Sequence, residues 1–281
     1  MYVKAYAKIN AYLDVISKRD DEYHNLDMVM LPIELHDSLQ VSILYNTFDS
    51  YVTCDHIELK EAKYNLINKT IAEMKKRYGI KENFNVVVHK EIPICAGLGG
   101  GSSNAAATIK AIEHLLKLNL DPKEELDLAK SLGADVPFCL YNKPARVSGI
   151  GENVRPIKLK KKYNVLIIKP EEGLSTKKVF DICDNLNLPH GNGDNVEKAL
   201  IDGDDEALAK NMFNSLEVAS MSVVNEIKNV KEMLKKDGFD MVLMSGSGSA
   251  VFALTTDLRK AQLKYKKYEK EGYNVYLTRT L

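Results

Sequence analysis

The chain has 281 residues, 45% of them hydrophobic and 28% charged, which is the composition of an ordinary globular protein of one or two domains. Its 39 basic residues balance 39 acidic ones, so the net charge gives no reason to expect binding to nucleic acid or to an acidic membrane surface. No apolar run approaches the roughly 18 residues of a membrane span, no signal-peptide core is present, and the four cysteines form no C-x-x-C pair. We therefore expect a cytoplasmic protein without a zinc site, a disulfide framework or a membrane-spanning segment.

The first predicted element is a strand over residues 2–17, in which polar and aliphatic residues alternate. The alternation places Lys8 and Asn10 on one face of the strand and the aliphatic residues on the other. A lysine and an asparagine on an exposed sheet face are usually only solvated, so the alternation alone does not favour a functional role for them.

A polar turn at residues 18–26 follows, and it contains the aromatic pair Tyr23-His24. A histidine in a loop is usually a surface residue, so the pair indicates no function by itself. The elements predicted next are strands at 28–35 and 37–45, an amphipathic helix at 64–78 and an alternating strand at 84–88.

A glycine-rich loop at residues 93–103 leads from that strand into an alanine-rich helix. Its glycines, at positions 97, 99, 100 and 101, let the backbone bring several N–H groups close to a ligand. Unpaired N–H donors and the positive end of the helix dipole make such a loop an anion site, most often for phosphate. A tight turn before a buried helix is the alternative, but a turn needs only one or two glycines.

Two common phosphate motifs do not fit this loop. It lacks the Gly-Lys-Ser/Thr sequence of a Walker A motif. A dinucleotide fingerprint needs an acidic residue about 20 residues further on, and Asp121 is a weak match to that requirement.

A further helix is predicted to begin after Asp121, which caps it, with Pro122 at the first helical position, and to end near Gly133. Asp135 follows, directly before the pre-proline residue Val136, which we expect to be extended. From chemistry alone, an aspartate in this position is more often a turn former than a catalytic group.

The charged run at residues 158–162 predicts a solvated hinge, which divides the chain into an N-terminal domain, 1–158, and a C-terminal domain, 159–281. The elements predicted for the second half are a buried strand at 164–169, helices between 199 and 236, two apolar strands around a small-residue turn at 245–249, a helix at 258–271 and a strand at 274–278.

The loop Pro-x-x-x-Gly-Leu-Gly-Gly-Gly-Ser-Ser at 93–103 resembles the phosphate-binding motif of the GHMP kinases, which include galactokinase, homoserine kinase and mevalonate kinase. Three other stretches, Ala-Lys-Ile-Asn-Ala-Tyr-Leu-Asp-Val at 7–15, the turn with Tyr23-His24, and Gly-Ala-Asp-Val-Pro-Phe at 133–138, resemble signatures of one branch of that family. This branch phosphorylates 4-diphosphocytidyl-2-C-methyl-D-erythritol. Glu22 stands where the branch often has glycine, which affects the turn but leaves the aromatic pair in place.

The resemblance implies an α+β protein with the two-domain GHMP-kinase-like fold and an active site in the cleft between the domains. It implies phosphoryl transfer from ATP, with Mg²⁺, to the 2-hydroxyl of this small-molecule substrate, and neither a nucleic-acid nor a membrane partner. The residues that it places at the ATP phosphates are Pro93, Ile94, Cys95, Ala96, Gly97, Leu98, Gly99, Gly100, Gly101, Ser102 and Ser103.

The resemblance also assigns roles to individual side chains. Lys8 and Asp135 are the implied catalytic pair. The implied substrate contacts are Asn10, Tyr23, His24, Ser175, Thr176 and Phe180, with Phe180 and Tyr23 on either side of the cytosine. Either Ser102 or Ser103 is a possible Mg²⁺ ligand, and the sequence does not decide between them.

Two alternatives remain open at this point. One is another small-molecule kinase of the same superfamily, such as a mevalonate or homoserine kinase, although these have no base for Tyr23-His24 to hold. The other is a catalytically silent binding protein on the same fold. Loss of Lys8 or Asp135 would mark such a protein, and the sequence has both residues.

Overall fold

The computed structural model describes residues 1–56 and 66–281, which form two compact units that are interleaved along the chain. The first unit comprises Met1–Ala7, Leu35–Ile92 and Gly99–Asn142. The second comprises Lys8–Glu34, Pro93–Leu98 and Lys143–Leu281. The predicted domain boundary at residue 158 stays a prediction, because these units are defined by contacts and not by a single division of the chain.

Helices and strands are both abundant in the described ranges, and the predicted α+β class is confirmed. The strands are β1 (Tyr2–Lys18), β2 (His24–Leu44), β3 (Tyr51–Cys54), β4 (Asn83–His89), β5 (Ala145–Gly149), β6 (Asn153–Pro156), β7 (Asn164–Lys169), β8 (Phe213–Asn214), β9 (Met241–Met244), β10 (Val251–Thr255) and β11 (Asn274–Arg279). The helices are α1 (Leu66–Tyr78), α2 (Gly100–Leu116), α3 (Pro122–Leu132), α4 (Val136–Tyr141), α5 (Thr176–Cys183), α6 (Gly193–Asp202), α7 (Asp205–Asn211), α8 (Glu217–Val223), α9 (Glu226–Lys236) and α10 (Leu258–Lys270).

In the first unit, β4 pairs antiparallel with the second half of β2, from Ser38 opposite His89 to Leu44 opposite Asn83, and β3 pairs parallel with β4. Alternate strand residues face the helices because side chains in a strand alternate between its two faces. The resulting core joins strand residues to apolar residues of the helices, among them Leu39, Val41, Phe84, Val86, Ile67, Met74, Ile109, Ile112 and Leu128.

In the second unit, a four-stranded antiparallel sheet has the order β11-β7-β10-β9. The run Val-Leu-Ile-Ile of β7 is buried on both faces, which is the pattern of a central strand. The unit also contains β5, which pairs antiparallel with the first part of β2 and with β6, and β8, which pairs parallel with β1 at Tyr12 and Leu13.

Two predictions of local structure differ from the observed elements, and a third falls partly outside the described residues. The strands predicted at 28–35 and 37–45 are one continuous strand, β2. The helix predicted from residue 64 is seen from Leu66, and the two residues before it lie outside the described ranges. Val136, expected to be extended because it precedes a proline, is instead the first residue of α4, where a proline at the second helical position is tolerated because its missing N–H has no partner there.

Candidate active site

The glycine-rich loop begins in the second unit, where Pro93–Leu98 is held by backbone hydrogen bonds to the small-residue turn between β9 and β10. The Cys95 carbonyl accepts a hydrogen bond from the Ser249 N–H at 3.3 Å, and the Ala96 carbonyl accepts one from Ala250 N–H at 3.2 Å. The predicted phosphate loop and the predicted hairpin turn are therefore packed together and joined by backbone hydrogen bonds.

Gly97 lies where these two segments approach each other closely. Its φ is 74°, and a Cβ added to it would lie 1.9 Å from the Ser245 carbonyl oxygen, so no other residue fits this position. The Ser245 hydroxyl donates a hydrogen bond to the Gly97 carbonyl at 3.1 Å. The glycine predicted to free the backbone for a ligand is also required by packing.

The loop continues into the first unit, where Gly99, with φ of 71°, precedes the first residue of α2. Within the described part of the chain, no side chain caps this helix start. The Ser103 N–H returns to the Gly99 carbonyl at 2.9 Å, and the Ser103 hydroxyl donates to the Tyr6 carbonyl at 2.6 Å. The first N–H groups of α2 thus have no side-chain acceptor among the described residues and, with the positive end of the helix dipole, suit a phosphate. The Ser103 hydroxyl, in contrast, is bonded to the backbone.

Lys8 and Asn10 lie side by side on β1, as the alternation predicts, but they are buried and not solvated. The Lys8 ammonium donates a hydrogen bond to Asn10 Oδ1 at 2.8 Å, and the Asn10 amide contacts Met28 Sδ at 3.5 Å. A Cβ on Gly246 would come within 3.2 Å of the ammonium, so the small-residue turn at 245–249, the second glycine loop of the chain, leaves room for this charge. A buried lysine with an amide partner is a strong candidate for an electrostatic role.

Asp135, in the first unit, is half-buried and stands directly before α4. Its side chain is not the cap of that helix, although aspartate is a preferred capping residue. The catalytic role predicted for it, and its pairing with Lys8 of the second unit, stay predictions.

Two of the three aromatic residues predicted to bind a base are in contact in the second unit. The rings of His24 and Phe180 are stacked, with centroids 4.6 Å apart and planes 25° apart. Tyr23 is 56% exposed. The ring partner of Phe180 in this structure is therefore His24, and the predicted enclosure of a base by Phe180 and Tyr23 stays a prediction.

Two residues that sequence reasoning did not select complete this group. Asp184 accepts a hydrogen bond from His24 Nε2 at 2.7 Å and another from the Lys18 ammonium at 2.6 Å. These hydrogen bonds, that of Lys18 first, hold the pKa of the Asp184 carboxyl below its usual range. No local sequence pattern marks Asp184, because its partners are more than 150 residues away in the chain.

Ser175 and Thr176 stand at the start of α5. Thr176 shares a hydrogen bond between hydroxyl groups with Ser247 at 2.8 Å, which ties α5 to the second glycine loop. Buried Asn214 also supports that loop, since its amide donates to the carbonyls of Met244 and Gly246 at 2.9 and 2.8 Å. Sequence reasoning missed Asn214, and nothing in its local sequence indicates the role.

Among residues 1–56 and 66–281, no group of three or more His, Cys, Asp or Glu side chains is arranged to hold a metal ion. Within the same ranges, every helix is too short or too polar to cross a membrane.

Comparison with known families agrees with these features. The model of the GHMP kinases N terminal domain matches residues 65–143, and the model of the GHMP kinases C terminal domain matches residues 196–274. The solved structure of a homoserine kinase from Cytophaga hutchinsonii covers 100% of this chain and 94% of its own with a TM-score of 0.74, although only 19% of the residues are identical. The fold is thus that of the GHMP kinases.

Nearer relatives are more specific. The 4-diphosphocytidyl-2-C-methyl-D-erythritol kinase of Clostridium kluyveri is 37% identical over 100% of both chains, and that of Clostridium novyi is 36% identical over 100% of both. A solved 4-(cytidine 5'-diphospho)-2C-methyl-D-erythritol kinase is 28% identical, with a TM-score of 0.81 over 100% of this chain and 99% of its own. The chain belongs to the GHMP kinases and, within them, to the 4-diphosphocytidyl-2-C-methyl-D-erythritol kinase family, which confirms the resemblance of its motifs.

Proposed function

We propose that this protein transfers the γ-phosphoryl group of ATP to the 2-hydroxyl of 4-diphosphocytidyl-2-C-methyl-D-erythritol, giving the 2-phosphate and ADP in non-mevalonate isoprenoid precursor biosynthesis. The observation that carries the proposal is the 37% identity, over the whole chain, to kinases named for this substrate. The stacked rings of His24 and Phe180 support it, because mevalonate and homoserine have no base for aromatic side chains to hold.

The nucleotide phosphates are bound by the glycine loop. The backbone of residues 93–103, with Gly97 fixed by packing and the uncapped start of α2 after it, supplies N–H donors and the positive end of a helix dipole. The implied Mg²⁺ fits a site in which phosphate oxygens are the main ligands, since magnesium often takes few protein ligands. Ser102 is the better serine for it, because the Ser103 side chain is buried, with its hydroxyl turned to the Tyr6 carbonyl.

Lys8 and Asp135 act on the transferring group and on the attacking hydroxyl. Phosphoryl transfer needs positioning and charge stabilisation more than covalent chemistry. Lys8, held by Asn10, places a positive charge beside the oxygens of the transferring group, over which the charge of the transition state is spread. Asp135 orients the substrate hydroxyl and accepts its proton late in the transfer. The N-terminal domain, 1–158, is proposed to bind the nucleotide, and the protein to act in the cytoplasm without nucleic-acid or membrane partners.

An ADP-release assay with MgATP tests the proposal. Parallel reactions contain 4-diphosphocytidyl-2-C-methyl-D-erythritol, mevalonate or homoserine, and we expect turnover with the first alone. Turnover with mevalonate or homoserine instead would keep the phosphate loop but overturn the assigned substrate. A folded protein that binds ATP and turns over none of the three would be the silent binding protein considered above.

Replacing Asp135 tests its role in the same assay. Asp135→Ala is expected to lower kcat by about 10²–10⁴-fold, the usual contribution of a positioned acid–base group, with little change in the dissociation constant of ATP. Asp127→Ala, which removes an exposed carboxylate of α3 in the same unit, is the matched control and should keep wild-type kcat. Full activity of the Asp135 variant would remove the residue from the mechanism.

A further inference from the structure

The carboxylate of Asp184 joins the end of β1 to the start of β2 by one hydrogen bond at each oxygen. Its Oδ1 accepts from His24 Nε2 at 2.7 Å, and its Oδ2 accepts from the Lys18 ammonium at 2.6 Å. His24 is only 8% exposed, and the stacked ring of Phe180 fixes its plane. The imidazole is thus fixed both in plane and in the direction of its Nε2 edge.

Helix stability does not explain this carboxylate. Asp184 directly follows the last residue of α5, where the helix dipole disfavours a negative charge. Its partner Lys18 is 53% exposed, and exposed ion pairs contribute little to stability. Neither the helix nor the exposed ion pair accounts for the position of Asp184, whose remaining partner is His24.

The first effect on His24 is to fix its tautomer. An ionised carboxylate only accepts hydrogen bonds, so Nε2 must carry a hydrogen. In the neutral imidazole, which needs no charge of its own because the Lys18 ammonium balances that of Asp184, the hydrogen is therefore on Nε2. Nδ1 then keeps its lone pair, and none of the described residues, 1–56 and 66–281, is a hydrogen-bond partner for it.

The lone pair distinguishes the two common pyrimidines. Cytosine carries an amino group at position 4, which donates hydrogen bonds, whereas uracil carries an oxygen there, which only accepts. We propose that Asp184, with Lys18, is a positioning residue that holds His24 as the Nε2–H tautomer, so that Nδ1 accepts from the cytosine amino group and rejects uracil. This inference rests on the proposed function, because it concerns the base of the proposed substrate.

The kinetic test compares the cytidylyl substrate with its uridylyl counterpart. We expect the wild type to favour the cytidylyl substrate in kcat/KM, and Asp184→Asn to reduce that preference by about 10-fold, the size of one hydrogen bond in a desolvated site. The KM for ATP should not change. Asp181→Asn makes the same charge change on α5 and is the matched control, with the wild-type preference retained. An unchanged preference in the Asp184 variant would overturn the proposal.

Two measurements do not depend on turnover. Nitrogen NMR of histidine-labelled protein, with the His24 signals assigned through His24→Gln, should show hydrogen on Nε2 and a bare Nδ1 in the wild type. Binding of cytidine 5′-diphosphate should be tighter than that of uridine 5′-diphosphate by about 10-fold, and Lys18→Met should reduce the difference. Hydrogen on Nδ1 in the wild type, or equal binding of the two nucleotides, would overturn the inference. If Asp184→Asn does not fold, the comparison of the two nucleotides with Lys18→Met tests the inference in its place.

These measurements also separate the inference from the proposed function. A wild type that binds cytidine 5′-diphosphate more tightly than uridine 5′-diphosphate but fails in the ADP-release assay would contradict the proposed reaction and keep the role of Asp184. A wild type that phosphorylates the cytidylyl and uridylyl alcohols equally would keep the reaction and remove the role of Asp184.

Discussion

Asp184 and Asp237 both follow the last residue of a helix in the second unit, α5 and α9, where a negative charge opposes the helix dipole. Asp184 has Lys18 and His24 as partners. Asp237 has two lysine ammonium groups and a tyrosine hydroxyl, from Lys264 at 3.0 Å, Lys267 at 2.8 Å and Tyr268 at 2.6 Å. The same unfavourable placement is compensated in both cases by hydrogen-bond donors from elsewhere in the chain.

The partners of the two carboxylates belong to different parts of the unit. Tyr268 is fully buried on α10 and packs edge-on against Tyr273, so Asp237 connects α9 to the core of the unit. Asp184 leads to His24, which stacks on Phe180 and follows the exposed Tyr23 in sequence. The buried tyrosine partner of Asp237 indicates that this carboxylate stabilises the fold. The histidine partner of Asp184, next to an exposed aromatic residue, indicates that this carboxylate orients a binding surface.

Removing Asp237 should therefore cost the most stability. Asp237→Ala leaves the buried Tyr268 hydroxyl without its acceptor and two lysines without their counter-charge, which should lower the free energy of unfolding by about 2–3 kcal/mol. Asp184→Ala, whose side chain is 21% exposed, should lower it by less than about 1 kcal/mol. Urea denaturation of both variants measures the difference. Equal losses in the two variants would end the distinction between them.

The contrast also shows what the sequence could predict. The strand–loop–helix order around the glycine loop, the face shared by Lys8 and Asn10, and the family were all available locally or from motifs. Asp184, Asn214 and the support for Lys8 from Gly246 were not, because each depends on groups far away in the chain: 160 positions separate Asp184 from His24.

The one boundary error inside a strand has the same cause. The predicted strands at 28–35 and 37–45 were separated at His36, yet β2 continues through this position and the buried charge next to it. Asp37 is fully buried, and its carboxylate accepts hydrogen bonds from the Lys90 ammonium at 2.8 Å and from the backbone N–H of Ile92 at 2.8 Å. These partners are 53 and 55 positions away, so a local pattern could not show that a buried charge is satisfied there.

The pH dependence of stability tests Asp237 in a second way. Burial alone would raise the pKa of its carboxyl, but the hydrogen bonds from Lys267, Tyr268 and Lys264 outweigh burial and hold the pKa well below its usual value. A carboxyl whose pKa is lower in the folded state stabilises the fold above its unfolded pKa of about 3.9, and this stabilisation is lost as the pH falls from there toward the folded pKa.

We therefore expect the difference in unfolding free energy between the wild type and Asp237→Asn to be constant from about pH 7 to pH 5 and to shrink below about pH 4. Urea denaturation at a series of pH values measures it, and the subtraction removes the acid sensitivity that both proteins share. A difference that grew as the pH fell would mean that the carboxyl is protonated more readily in the folded state, against the role assigned to its partners.

Replacing Tyr23 is expected to change stability least, so it separates an effect on substrate binding from an effect on the fold. Tyr23→Ala should raise the KM for the cytidylyl substrate by about 10-fold, because stacking on a base contributes roughly 1–3 kcal/mol, and should leave the KM for ATP and the unfolding free energy nearly unchanged. Tyr51 on β3 is equally exposed, at 56%, so Tyr51→Ala is the matched control and should change neither constant. If Tyr23→Ala instead destabilised the protein as much as Asp237→Ala, the exposed tyrosine would belong to the scaffold, and only His24 and Phe180 would remain as aromatic contacts for the base. If it raised both KM values equally, the effect would be on the whole site, and stacking on the cytosine would no longer explain the exposure of this ring.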